Sequence, residues 1–208
     1  MDVALKIATG FEYGILLLLF GLSIWSIAIM IDRRRTLARE SDTAALSQLR
    51  KTIVESDKMA LRKWVESHPG VHAAVIDSVL DSGSTVSTDP AMIDRKIRSF
   101  LANERLRLEK GLSTLATLGA NAPFMGLFGT VLGIIRAFAA LGESSGGASS
   151  VMSGISQALV ATAAGLFVAI PAVIAFNAFS NRVRTLLSQC DSLKDLYIAY
   201  HVRTLKER

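Results

Sequence analysis

Three uncharged stretches decide what this chain can fold into. Residues 111–135 and 151–180 contain no Asp, Glu, Lys, Arg or His, and neither do residues 13–31. About 20 apolar residues in helical conformation cross the hydrocarbon core of a bilayer. Half of the chain is hydrophobic, more than in a typical soluble domain and less than in a chain lying wholly in lipid. The fold class that follows is all-α: an integral membrane protein with three transmembrane helices, two of which extend as long helices into the cytoplasm. Gly, Ala, Ser and Thr stud the second and third runs, and such residues let helices pack backbone to backbone in lipid.

The basic residues orient the spans. Of 23 Lys and Arg, fifteen lie in 32–110 and six in 182–208, while the 142–150 segment has none. Cytoplasmic loops carry the excess of Lys and Arg. Residues 32–110 and the C-terminus are therefore assigned to the cytoplasm, and the N-terminus and the 142–150 loop to the periplasm. Arg33, Arg34 and Arg35 follow the first run directly and read as cytoplasmic membrane anchors. With Asp32 they form a stop-transfer flank, and no small-x-small cleavage site precedes them, so the run is read as a span rather than a signal peptide. Twelve acids are mixed with the fifteen bases of 32–110. That is the pattern of solvated helix faces, not of a phosphate-binding stripe, and no nucleic-acid partner is expected.

Four segments follow: 1–31, the N-terminal part with the first span; 32–110, a cytoplasmic helical region; 111–181, the second and third spans with their short periplasmic loop at 142–150; and 182–208, a cytoplasmic C-terminal helix. Within 32–110, apolar residues recur at helical spacing around Leu46 and Trp64, and His68-Pro69-Gly70 is a stop signal. Residues 71–80 read as a short helix. The Ser/Thr/Gly-rich 81–89 reads as a loop, with Asp89-Pro90 as an N-cap and first helical position. From Ile93 through Ile97, Leu101, Leu108, Leu112 and Leu115 the stripe continues, which predicts one unbroken helix rising into the second span. Val183, Leu186, Cys190, Leu193 and Tyr197 continue the third span as an amphipathic helix. Cys190 is alone and reads as a packing residue.

In the second span Gly126, Thr130, Gly133 and Ala137 fall within about 60° of one another at 100° per residue. In the third, Ala158, Thr162, Gly165 and Ala169 do the same. Each face is narrow, small and bears one hydroxyl, which suits either helix packing, with Gly129–Gly133 as a GxxxG step, or a pore lining. Gln157 is the most polar side chain of the third span, about 140° from Thr162. A buried amide needs hydrogen-bond partners. Pro123 and Pro171 lie inside the runs and read as helix kinks, whose freed carbonyls need neighbours. His68 and His72 read as surface histidines. The sequence holds no nucleophile–base pair, metal-ligand cluster or phosphate loop, so no enzyme, metal or cofactor is expected.

The run Asn-Ala-Pro-Phe-Met-Gly-Leu-Phe-Gly-Thr-Val-Leu-Gly-Ile at 121–134 resembles the second-span signature of the TolQ/ExbB proteins. Gly-Ile-Ser-Gln-Ala-Leu-Val-Ala-Thr-Ala-Ala-Gly-Leu at 154–166, followed by Ala-Ile-Pro-Ala-Val at 169–173, is similar to their third-span signature. The specific match covers roughly 110–180, and flagellar MotA-type stators are more distant relatives. The resemblance implies a proton-channel subunit of an inner-membrane motor. Five copies surround two single-span helices of a TolR/ExbD-type partner, whose membrane aspartate takes up and releases protons, the transported ion. Thr130 and Thr162 match the family's pore threonines. The chain departs at Gln157, where the resemblance implies a glutamate. Two further readings therefore stay open: a gliding-motility type motor of the same family, and a non-conducting scaffold around the partner helices. A solute permease is disfavoured, because only Thr and one Gln could converge on a substrate.

Overall fold

The computed structural model describes residues 2–40, 43–55, 57–80, 90–143 and 148–202, and every regular element among them is helical. The helices are α1 (Asp2–Arg39), α2 (Thr43–Val54), α3 (Lys58–Ser67), α4 (Val71–Leu80), α5 (Pro90–Leu108), α6 (Leu112–Glu143) and α7 (Ala148–Tyr197), with a wider π-helical turn at Ile198–Val202. The 81–89 loop and the Asp89 cap lie outside the described residues, as does the centre of the 142–150 loop. Helix covers 142–143 and 148–150, so that connection is shorter than expected. Three stretches are long and apolar enough to cross a membrane: Tyr13–Arg39, Leu112–Ala139 and Val151–Tyr200. At 1.5 Å per residue the 50 residues of α7 extend about 75 Å, against a hydrocarbon core of about 30 Å, so much of that helix lies beyond the lipid.

The chain divides into two units. The first comprises Met1–Asp32 and Gly111–Ala178. Ile15 and Leu19 of α1 are buried there with Ala122 of α6 and Val168 and Ala169 of α7, while Leu17, Leu18 and Phe20 on the remaining α1 surface are exposed. Both prolines lie within continuous helices: α6 runs through Pro123 and α7 through Pro171.

The second unit comprises Arg33–Lys110 and Phe179–Arg208. Its core joins Leu49 and Ile53 of α2, Leu61 and Trp64 of α3, Val75 and Ile76 of α4, Ile97 and Leu101 of α5, and Cys190 and Leu193 of α7. Asp57 caps α3, its Oδ1 accepting from the backbone N–H groups of Met59 and Ala60 at 2.9 and 3.1 Å. Lys194 is buried and lies 2.9 Å from Asp94 on α5. Hydrogen bonds from Lys194 and from Arg98 hold the Asp94 carboxyl below its usual range.

Two expectations are corrected here. The helix predicted to run unbroken from residue 90 into the second span stops at Leu108 and restarts at Leu112. Gly111 adopts φ +78°, a left-handed conformation that residues with a Cβ rarely take, and glycine in that conformation terminates helices. His72 is not a surface residue. It is 8% exposed, with Nε2 3.2 Å from Gln189 Oε1. The reason is α4 itself, which buries Val71, Ala73, Val75, Ile76 and Val79 over a broad face that includes His72 and leaves Asp77 exposed. His68 is stacked on Trp64, with ring centroids 4.6 Å apart.

Burial lowers the pKa of His72 from its ordinary 6.5; the Gln189 hydrogen bond and the Glu40 charge act to raise it, and Arg50 to lower it. The unfolded chain therefore takes up a proton that the folded chain resists. Stability rises with pH through this window and falls as the pH drops below about 6.5. Thermal melts between about pH 7 and pH 5 are expected to lose more stability in the wild type than in His72→Gln. Parallel pH profiles for the two proteins would contradict this.

Candidate functional site: the faces between the spans

The two small-residue faces meet each other within one chain. A Cβ built on Gly126 of α6 would lie 2.6 Å from the Ala161 carbonyl oxygen, 3.0 Å from Thr162 Cα and 3.2 Å from Gly165 Cα. One built on Gly165 would lie 2.5 Å from the Ala122 carbonyl oxygen and 3.1 Å from Gly126 Cα. Gly129 faces Ala161 Cβ and Ile15, and Gly154 faces Ala137 Cβ. Ala158 and Gly133 are buried. Backbones approach this closely in lipid only where side chains are absent.

The hydroxyls, prolines and arginines are placed as follows. Thr130 is buried, and its Oγ1 donates to the Leu127 carbonyl at 2.7 Å. This is the local backbone bond that helical threonines commonly make. Thr162 is half-buried beside the Gly126 crossing. Pro123 is half-buried and Pro171 exposed. Arg34 and Arg35 are exposed. Arg33 turns inward instead: it is buried, and its Nη1 donates to the Arg107 carbonyl at 3.2 Å.

Gln157 has the partners that an amide in a span requires. Its Oε1 accepts from Nη2 of Arg136 at 2.7 Å, and its Nε2 donates to the Tyr13 hydroxyl at 3.3 Å. The three side chains come from α6, α7 and α1, so one hydrogen-bonded chain links all three spans. Sequence reasoning singled out Gln157 and missed the other two. The available signal was Arg136, an ionisable residue inside a span, which by itself marks a functional candidate. Across residues 13–31, 112–142 and 148–180, Tyr13 and Arg136 are the only ionisable side chains and there is no acid.

A cavity of about 220 Å³ lies in the second unit, lined by Trp64, His68 and His72 among others. No group of three or more His, Cys, Asp or Glu among the described residues is placed to hold a metal ion.

The sequence compares closely with known proteins. The sequence model of the MotA/TolQ/ExbB proton channel family matches residues 69–192. The biopolymer transport protein ExbB of Neisseria meningitidis is 33% identical over 203 residues, covering 93% of this chain and 91% of the relative. ExbB of Neisseria gonorrhoeae is 46% identical over 114 residues, covering 54% of this chain and 50% of the relative. The Tol-Pal system protein TolQ of Pseudomonas aeruginosa is 43% identical over 108 residues, covering 51% and 47%. With three membrane-crossing helices packed on small-residue faces and a match extending over nearly the whole chain, the protein belongs to the MotA/TolQ/ExbB proton channel family.

Proposed function

We propose that this chain is the proton-channel stator subunit of a motor in a bacterial inner membrane, coupling proton-motive force to mechanical work on the cell envelope through a TolR/ExbD-type single-span partner. The working assembly is a homopentamer around two partner helices. Its N-terminus and 142–150 loop are periplasmic, and 32–110 and the C-terminus are cytoplasmic. The observation that carries this reading is the missing acid. A proton route through lipid needs a group that binds and releases protons, and residues 13–31, 112–142 and 148–180 offer no carboxyl. The carboxyl must arrive on another helix. Thr162 then serves as a hydroxyl that orients water or that carboxylate, and Thr130, whose proton goes to the Leu127 carbonyl, can accept from that water.

The test is proton flux into vesicles containing this chain, a partner with an aspartate in its span, or both. Flux is expected only from the pair, and it should vanish when the partner's aspartate becomes asparagine. Pairs that assemble yet pass no protons would support the non-conducting scaffold instead. Thr162→Val is expected to lower flux by about tenfold, the worth of roughly one hydrogen bond, with the oligomer intact. Dissociation of the oligomer in that variant would make Thr162 a packing residue.

A further inference from the structure

The bridge through Gln157 gives Arg136 a specific part in this machinery. We propose that Arg136 is a positioning residue of the proton path. Its guanidinium fixes the Gln157 amide, and through it the Tyr13 hydroxyl, in one arrangement, and it would hold a carboxyl at position 157 in its charged form. The inference rests on the proposed motor function for its role, but not for its geometry.

The chemistry of the three groups supports it. Arginine has only donors and does not lose its charge in proteins. It must meet the amide through the carbonyl oxygen, as the 2.7 Å contact shows, and this turns the amide NH₂ toward Tyr13. An amide does not titrate, so position 157 carries no exchangeable proton of its own. The titratable and charged groups of the described spans around it are Arg136 on α6 and Tyr13 on α1, with none on α7 up to Ser180; Glu12 and Glu143 lie just beyond those stretches in sequence.

The three residues also lie at matching ends of their spans. Tyr13 opens the first, Gln157 is six residues into the third, and Arg136 is three residues from the end of the second, Ala139. Six residues of helix are about 9 Å, so the bridge lies near one membrane surface, where a long arginine reaches water most easily. The same positions suit a carboxylate. Its two oxygens could accept from Arg136 and from the tyrosine hydroxyl, whose hydrogen bond would reverse. Gln157→Glu is thus expected to fold and to form an ion pair with Arg136.

The experiment compares Gln157→Glu with Arg136→Gln/Gln157→Glu in lipid vesicles with the partner present. Infrared spectroscopy of isotope-labelled glutamate reads the protonation of the introduced carboxyl, and flux is measured on the same samples. With Arg136 in place the carboxyl should show only carboxylate bands from about pH 8 to 5, and the flux profile should keep the single midpoint of the wild type. Without Arg136 a protonated-carboxyl band should appear near neutral pH, together with a second midpoint. Identical infrared titrations in the two variants would overturn the proposal. Should the double variant fail to assemble, Gln157→Glu alone decides: a protonated-carboxyl band at about pH 7 overturns the proposal, and its absence supports it. If no preparation conducts, the wild type included, the motor reading fails while the infrared comparison still decides the bridge.

Discussion

Gly126→Leu is expected to abolish the folded three-helix unit. At that position the backbones of α6 and α7 are in contact, and an added Cβ would lie 2.6 Å from the Ala161 carbonyl oxygen, whereas ordinary contact begins at 3.4 Å. Backbone cannot rotate aside as a side chain can. The helices must separate, which opens the neighbouring contacts at Gly129 and Gly165 as well. Overpacking in a well-filled core costs about 1–3 kcal/mol, and this site stands at or beyond the upper end because nothing flexible lines it. The measurement is thermal unfolding and size-exclusion behaviour in detergent, where the variant should lose its folded peak. Gly126→Ala should be intermediate. Gly21→Ala is the control: a Cβ there meets nothing within 4 Å, so its melting temperature should stay at or slightly above that of the wild type. Equal tolerance at the two positions would mean that α6 and α7 do not cross at Gly126.

Glu40→Ala should cause the largest loss in the second unit. Glu40 is 8% exposed and holds two elements at once. Its Oε2 accepts from the backbone N–H of Val71 at 2.6 Å, at the start of α4, and its Oε1 accepts from Arg107 of α5 at 2.7 Å. A carboxylate at a helix N-terminus satisfies an otherwise unpaired donor and opposes the helix dipole. Arg107 is about half exposed and also pairs with Glu104, so solvent screens much of that ion pair. The larger part of the effect comes from the buried N–H left without an acceptor, and the sum is about 2–3 kcal/mol. Glu40→Gln should recover part of this, because an amide oxygen still accepts from Val71. Chemical denaturation followed by circular dichroism checks the ranking, and an alanine variant as stable as the wild type would refute it.

The spans were legible in the sequence because lipid imposes a strong, local rule: no charge over about 20 residues. Residues 71–80 were read as a helix and are one, preceded by His68-Pro69-Gly70 and rich in apolar residues. The break at Gly111 was missed because the apolar stripe continues on both sides of it. Periodicity records which face is buried, not whether the backbone stays helical. The glycine just past Leu108 was the local cue. His72 was misplaced for a related reason: a histidine in a short apolar helix is buried when its own face of that helix is covered, and coverage is a tertiary property. Within the site, the small-residue faces were visible as spacing, but spacing alone did not distinguish packing from lining. The Arg136–Gln157–Tyr13 bridge was out of reach altogether, because it joins residues up to 144 positions apart and depends on the register of three helices.

The crossing at Gly126 and Gly165 has a mechanical corollary. At that point main chain is pressed on main chain and no rotamers lie between the helices to be exchanged, so the crossing can yield only by parting. Load placed on one helix there is borne by both. Whatever compliance a work cycle demands must be sought at other surfaces of the subunit, among side chains that can slide.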